Sequence, residues 1–187
     1  MFAPVKIEIT DGMSYNMKIR HKHAEKYNGS QIEDGKGRIW GFLGEEIVRL
    51  GYLKDSVRND TFDHDLLYKG YTIDVKSKIR KDIPRDNFDG IVNDSAMHQN
   101  PDFYIFVSII GPKGLTSMDE KTIFLYDFKE AYLCGFIESK LFKNNSKFIP
   151  AKTIANNKLK YNNNCWELKY SNLKPMSLLL DLKNKEG

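Results

Sequence analysis

Apolar and polar residues alternate most clearly between residues 61 and 78, in the stretch TFDHDLLYKGYTIDVKSK. Alternation with a period of two is typical of β-strands, and Gly70 near the centre supplies the positive φ angle that a tight hairpin turn requires. A two-residue turn here places Asp65 directly opposite Asp74, on the face of the hairpin that is not apolar. The candidate chemistry depends on this register, because a shift of one residue would separate the two side chains.

The spacing of apolar residues in other segments predicts individual helices and strands. Residues 36–50 repeat apolar side chains at intervals of three and four, which predicts an amphipathic helix. Residues 103–110, FYIFVSII, form a continuous apolar run that predicts a buried central strand. The remaining patterns predict a hairpin over residues 4–19, a loop over 28–37, a short helix within 86–100, a strand at 122–126, a helix over 128–141, a strand at 166–170 and a closing helix over 173–182.

The length and the apolar content suit one α/β domain. The chain has 187 residues, of which 41% are hydrophobic, and this is enough to form a sizeable core. Within the single domain 1–187 we expect an N-terminal β-hairpin and a basic segment in residues 1–30. The candidate site is expected in a core formed by residues 36–130, and residues 140–164 form a Lys- and Asn-rich excursion.

Two opposed carboxylates are the first candidate for a functional site. Directly opposed residues have Cβ atoms roughly 5 Å apart, so Asp65 and Asp74 repel each other unless a positive charge lies between them. A hard divalent cation such as Mg²⁺, which prefers oxygen ligands, would provide that charge. Lys76 points to the same side, and Asp63 is a reserve metal ligand or partner of Lys76. The alternative is a solvated hairpin face that carries an Asp–Lys ion pair.

A third carboxylate is predicted on the helix of residues 36–50. Glu46 lies at the edge of the apolar stripe, whereas Glu45 points almost directly away from it. A carboxylate at the edge of a core-facing stripe is costly without a partner, so we expect Glu46 to face the acids of the hairpin. The alternative is an exposed glutamate at the rim of the stripe.

A helix Glu, a strand Asp and an Asp-x-Lys on the next strand, in this order, resemble the signature of the PD-(D/E)XK nuclease superfamily. The resemblance covers roughly residues 36–110. It implies a restriction-endonuclease-like core, with a central mixed β-sheet flanked by helices. It also implies that Glu46, Asp65 and Asp74 hold Mg²⁺, for which Mn²⁺ would substitute, and that Lys76 positions or activates the attacking water. The implied activity is endonucleolytic hydrolysis of phosphodiester bonds in DNA.

The charge of the chain permits a polyanionic partner. The net charge is +4 and the isoelectric point is about 8.9. Four basic residues close to the Asp-x-Lys element are predicted to contact a nucleic-acid backbone, although a solvated strand end explains them equally well. These four are Lys78, Arg80, Lys81 and Arg85. The basic residues 20–23, Arg-His-Lys-His, predict a solvated face that can contact phosphate.

Composition excludes some classes of function and leaves others open. Two cysteines are too few for a disulfide framework, and they lack metal-ligand spacing. Without a membrane-spanning apolar run or a signal peptide, we expect a soluble, cytoplasmic protein that does not enter membranes. The alternative functions are a non-catalytic nucleic-acid-binding or assembly module that retains the fold, and an RNA-directed nuclease. Cutting two strands with one site per chain favours a homodimer, and targeting by a partner protein is compatible with the same class.

Overall fold

The structure is a computed structural model that describes residues 2–24, 38–59, 64–111, 128–154 and 161–185. Its α-helices are α1 (Asp11–Ala24), α2 (Arg38–Gly51), α3 (Ser139–Asn145) and α4 (Ser177–Leu180), and single 3₁₀ turns occupy Asp94–Ala96 and Tyr170–Asn172. Its strands are β1 (Val5–Glu8), β2 (Val57–Arg58), β3 (Leu66–Tyr68), β4 (Tyr71–Arg80), β5 (Asp89–Asn93), β6 (Phe103–Ile110), β7 (Glu130–Glu138), β8 (Lys147–Ile149) and β9 (Cys165–Lys169).

The strands form two sheets. The larger sheet has six strands in the order β1-β7-β6-β4-β3-β2, in which β4 and β6 run parallel and the other neighbours run antiparallel. The smaller sheet has three antiparallel strands in the order β5-β9-β8. The larger sheet is curled and flanked by helices, so the expectation of an α/β fold with a mixed sheet is confirmed. Within the described residues, no helix is both long enough and apolar enough to cross a membrane.

Strand β6 separates two hydrophobic cores. Ile105 and Val107 pack with α1, α2 and β1 against one face of the sheet. Tyr104 and Phe106 point to the other face and pack with residues of β5, β9 and α3. A strand that is buried on both faces has no polar alternation, and this explains the continuous apolar run. The predicted buried strand at residues 103–110 is therefore confirmed.

The hairpin of β3 and β4 has the predicted register. Leu66 pairs with Ile73 across the ladder. The turn residues Lys69 and Gly70 have φ angles of 51° and 81°, the pair of positive values that a type I′ turn requires. Asp63 lies outside the described residues, so its reserve role stays a prediction.

Helix α2 packs closely on strand β4. The predicted helix is confirmed, and its stripe residues Ile39, Leu43 and Ile47 are fully buried. A Cβ atom on Gly44 would lie 1.7 Å from Ser77 Oγ, so only a glycine permits this approach of the helix to the sheet. The residue after Gly44, Glu45, interacts with Asp65 and Asp74 of the hairpin.

The predicted hairpin over residues 4–19 is wrong. Only Val5–Glu8 is a strand, and it pairs with β7, far away in the sequence, while the chain after it forms helix α1. Met13 and Met17 are buried and Tyr15 between them is 64% exposed. Apolar residues at every second position fit a strand, but the buried spacing of four is that of a helix.

The predicted helix over residues 128–141 is also wrong. Residues Glu130–Glu138 form strand β7, which is buried on both faces between β1 and β6. Its sequence, EAYLCGFIE, is a short apolar run of the kind that periodicity alone cannot assign to a strand or to a buried helix. A helix begins only at Ser139.

Four further expectations had mixed outcomes. The strand near residues 166–170 is confirmed as β9, whereas residues 86–100 contain β5 and a 3₁₀ turn instead of an α-helix. The closing helix is limited to α4. The described part of the 140–164 excursion contains most of α3, all of β8 and the turns after it, and its Phe142 is fully buried. The predicted loop at 28–37 and strand at 122–126 lie outside the described residues.

Candidate active site

Asp65 lies where the ladder between β3 and β4 ends. Its backbone N–H donates to the carbonyl of Ile73 at 2.9 Å, and its Oδ2 accepts the N–H of Val75 at 2.7 Å. The side-chain carboxylate therefore takes the place of a backbone carbonyl as the acceptor for β4. This hydrogen bond fixes the carboxylate where the two strands begin to separate. Burial raises the pKa of Asp65 well above its usual range, and the nearby charges of Glu45 and Asp74 raise it further.

Asp74 and Lys76 project from the same face of β4. Asp74 is buried, and Lys76 Nζ lies 2.7 Å from its Oδ2. Burial lowers the pKa of Lys76, but the attraction of Asp74 and Asp65 outweighs this effect, so the pKa of Lys76 is raised. The side chain is therefore a fixed cation at neutral pH.

Glu45 is the helix carboxylate that interacts with this pair. It is only 6% exposed, so the expectation that it points away from the core is wrong. Its Oε2 accepts a hydrogen bond from Arg20 of α1 at 2.5 Å. Burial raises the pKa of Glu45 to about 7, with Arg20 opposing and Asp74 adding to the shift. Glu45, Asp65 and Asp74, together with Lys76, are called the acidic cluster below.

Glu46, the predicted helix ligand, is fully buried in different surroundings. Its Oε2 accepts hydrogen bonds from Arg49 at 2.6 Å and from Asn16 at 3.1 Å. Its Oε1 lies 3.5 Å from Arg58 and 3.9 Å from Arg20. These contacts, called the arginine network below, join α1, α2 and β2. A carboxylate that neutralises several guanidinium groups in this way is a structural ion-pair centre.

Tyr104 is a candidate site residue that sequence reasoning missed. It pairs with Asp74 across β4 and β6, and Lys76 Nζ lies 5.9 Å from the centre of its ring. The ring is fully buried, and burial followed by the charge of Asp74 raises the pKa of its hydroxyl. The only signal in the sequence is a tyrosine inside a buried apolar run, which by itself indicates core packing.

The predicted nucleic-acid contacts divide into two groups. Arg80 is engaged inside the fold, because its guanidinium donates to the carbonyl of Asp89 at 2.7 Å and to the hydroxyl of Tyr170 at 3.1 Å. The other three residues, Lys78, Lys81 and Arg85, are exposed.

The chemistry of the acidic cluster fits a hard cation. Its donors are carboxylates, and buried Asp74 Oδ2 accepts no well-directed hydrogen bond from the described residues although Lys76 is close. Within the described parts of the chain, no group of three or more His, Cys, Asp or Glu side chains is arranged as a ready metal site. Comparison with protein-family models, curated proteins and solved structures finds no match to this chain.

Proposed function

We propose that this protein is a metal-dependent nuclease that hydrolyses phosphodiester bonds in DNA, most simply as an endonuclease with a restriction-endonuclease-like core. The observation that carries the proposal is the acidic cluster itself. An Asp-x-Lys element on β4 lies beside Asp65 of the neighbouring strand and interacts with a carboxylate from a helix. Three members of the cluster, Asp65, Asp74 and Lys76, are those to which the sequence resemblance points, whereas the resemblance implied Glu46 in the place that Glu45 takes here.

We assign the role of the helix carboxylate to Glu45. The charges of Glu45 and Asp74 act on Asp65, whereas one oxygen of Glu46 accepts hydrogen bonds from Arg49 and Asn16. Burial raises the pKa of Glu45 and Asp65, and neighbouring carboxylate charges add to both shifts, a property that functional sites often have. Glu45, Asp65 and Asp74 would hold the metal, with Mg²⁺ as the expected ion and Mn²⁺ as its substitute.

A divalent ion bound there would polarise the scissile phosphate and lower the pKa of bound water. The residues of the chain complete the site. The Lys76 ammonium, protonated because of its raised pKa, is suited to contact a phosphate oxygen and to stabilise negative charge as it develops. This charge state disfavours the role of general base for Lys76. Asp74 and the ring of Tyr104 fix the direction of the ammonium group.

We assign contacts with the nucleic-acid backbone to exposed basic side chains at the end of β4 and in the loop that follows it. Lys78 lies on the same face of the strand as Lys76, and Lys81 and Arg85 follow in the next loop. Contacts of this kind hold phosphates without reading sequence. Arg80 is excluded from this group because its guanidinium is bound within the fold.

A cleavage assay with and without Mg²⁺ or Mn²⁺ tests the proposal. Wild type, Asp74→Asn and Lys76→Met would be compared on supercoiled plasmid, linear duplex, single strands, branched DNA and RNA. Metal-dependent cutting of DNA by wild type, lost in both variants, is the expected result. Preferential cutting of RNA would move the assignment to an RNA-directed nuclease. Activity retained by Asp74→Asn would contradict the site assignment.

A second function is favoured by one observation. Lys76 and Arg20 already neutralise Asp74 and Glu45 through contacts of 2.7 Å and 2.5 Å, as in a site that is charge-balanced without a metal. A non-catalytic nucleic-acid-binding module would have this property. Calorimetry separates the two functions, because this module would bind DNA with equal affinity in EDTA and in Mg²⁺ and would show no heat of metal binding.

A further inference from the structure

Arg20 connects the acidic cluster to the arginine network. Its guanidinium donates to Glu45 at 2.5 Å, lies 3.9 Å from Glu46 Oε1, and covers the ring of Phe42 at 4.3 Å from the ring centre. Its side chain is 14% exposed, so it is not completely enclosed by the protein. Arg20 therefore contacts two carboxylates and one aromatic ring. The two carboxylates differ in their other contacts.

Glu46 remains available to Arg20 when Glu45 is not. The contacts of Glu46 with Arg49 and Asn16 belong to α2 and α1 and do not involve the acidic cluster. Glu45, in contrast, interacts with Asp65 and Asp74, so a cation bound by these acids competes with Arg20 for the same carboxylate. Loss of the Glu45 contact would release the guanidinium donors while Glu46 and Phe42 still hold the side chain in place.

The charges of the two regions favour an anion in that state. The contacts described above link four carboxylates with four side-chain cations, so the two kinds of group are equal in number among these described residues. The carboxylates are Glu45, Glu46, Asp65 and Asp74, and the cations are Arg20, Arg49, Arg58 and Lys76. A divalent ion adds two positive charges to this balanced group. A phosphate group of a nucleic-acid backbone has the complementary charge, and a guanidinium matches the geometry of its oxygens.

Resting on the proposed function, we infer that Arg20 binds a backbone phosphate of the substrate once Glu45 takes part in metal binding. In the free protein its guanidinium is bound to Glu45 instead. The exchange of partners couples the two ligands, because the metal releases the group that the nucleic acid needs. A structural Arg20 that only ties α1 to α2 would not couple them.

The test is a cycle of binding measurements on the full chain. The affinity for a short duplex DNA is measured by fluorescence anisotropy at constant ionic strength, with EDTA or with Ca²⁺, which takes the same oxygen ligands as Mg²⁺. Wild type is compared with Arg20→Gln, and Ca²⁺ binding is followed separately by calorimetry. Arg49→Gln is the matched control, because Arg49 bonds Glu46 at 2.6 Å and belongs to the arginine network alone.

The quantity to compare is the ratio of DNA affinity in Ca²⁺ to DNA affinity in EDTA, which is the factor by which Ca²⁺ raises the affinity. Arg20→Gln reduces this factor by about tenfold or more, the effect of one charged hydrogen-bonding group, and leaves affinity in EDTA nearly unchanged. Its affinity for Ca²⁺ alone is equal to that of wild type or higher, since a competing cation is gone. Arg49→Gln lowers the unfolding midpoint but keeps the factor. Arg20→Lys, which keeps the charge, restores part of the factor and serves if Arg20→Gln does not fold.

The outcomes separate this inference from the proposed function. An unchanged factor in Arg20→Gln and Arg20→Lys, or an equal loss of DNA affinity with and without Ca²⁺, overturns the role of Arg20 while leaving the nuclease intact. Wild type that binds neither Ca²⁺ nor Mg²⁺ overturns the proposed function and the role of Arg20 with it.

Discussion

Glu45 and Glu46 are adjacent in the sequence and both are buried, yet their surroundings differ. Glu46 is surrounded by donors of the arginine network, which satisfy its charge. Glu45 has Arg20 as a partner but also lies near Asp65 and Asp74, and its pKa rises to about 7, chiefly through burial. A buried carboxylate with several cationic partners contributes to structure, whereas one placed among like charges keeps the capacity to bind a cation.

The largest effect is expected from Asp74. Replacement by Asn removes a central carboxylate of the acidic cluster, and cleavage should fall by more than about a hundredfold while the fold persists. Plasmid cleavage and circular dichroism measure the two properties. Asp89→Asn is the matched control, because Asp89 has the same 2.7 Å ion pair with Lys169 outside the cluster. Equal losses in the two variants would contradict a special role for Asp74.

Exchange of each glutamate for glutamine tests the comparison directly. Glu46→Gln removes the charge of a fully buried carboxylate from the arginine network and should lower the free energy of unfolding by about 2–3 kcal/mol, with activity largely kept. Glu45→Gln should change stability by less than about 1 kcal/mol at pH 7 but reduce cleavage more than tenfold. Urea denaturation and the cleavage assay are the measurements. The reverse pattern would return the catalytic role to Glu46, as the sequence first indicated.

The pH dependence of stability should reveal Glu45. Its pKa rises from 4.5 to about 7 on folding, so the folded state binds a proton that the unfolded state has lost over this range. Stability measured in EDTA should therefore fall as pH increases from about 4.5 to 7, by at most about 3 kcal/mol. The raised pKa of Asp65 acts in the same direction.

Glu45→Gln provides the control for this pH dependence. The variant cannot titrate at this position, so its slope of unfolding free energy against pH should be flatter. A slope identical to that of wild type would mean that Glu45 remains charged throughout and that the arginine contact dominates.

The smallest effect is expected at Tyr104. Phenylalanine keeps the ring beside Lys76 and removes only a buried hydroxyl, so stability should change by less than about 1 kcal/mol and cleavage by less than about threefold. Leucine removes the ring and should slow cleavage by about fivefold more than phenylalanine does. Single-turnover kinetics measure both variants. Equal rates for the two would show that the ring does not position Lys76.

The sequence pattern was sufficient to predict elements whose conformation depends on residues close together in the chain. The positive φ angles at Lys69 and Gly70 fix a two-residue turn, and the turn fixes the register that pairs Leu66 with Ile73, directly before Asp74. The amphipathic stripe was sufficient to predict α2. Sequence reasoning placed a strand at β1 but gave it a local hairpin partner, and it predicted a helix at β7, because these two strands pair with each other over a long separation.

The sequence by itself therefore determined the Asp-x-Lys hairpin, the helix before it and the apolar strand beside it. It could not determine which helix carboxylate meets the hairpin. The prediction from an amphipathic stripe assumes that a helix has one buried face. Helix α2 is covered by β4 on one side and by α1 on another, so both Glu45 and Glu46 are buried. Only the packing of α1 decided that Arg20 reaches both glutamates, while Asn16 bonds Glu46 alone. Contacts between distant segments depend on how whole elements dock, and the spacing of residues along one helix does not encode this.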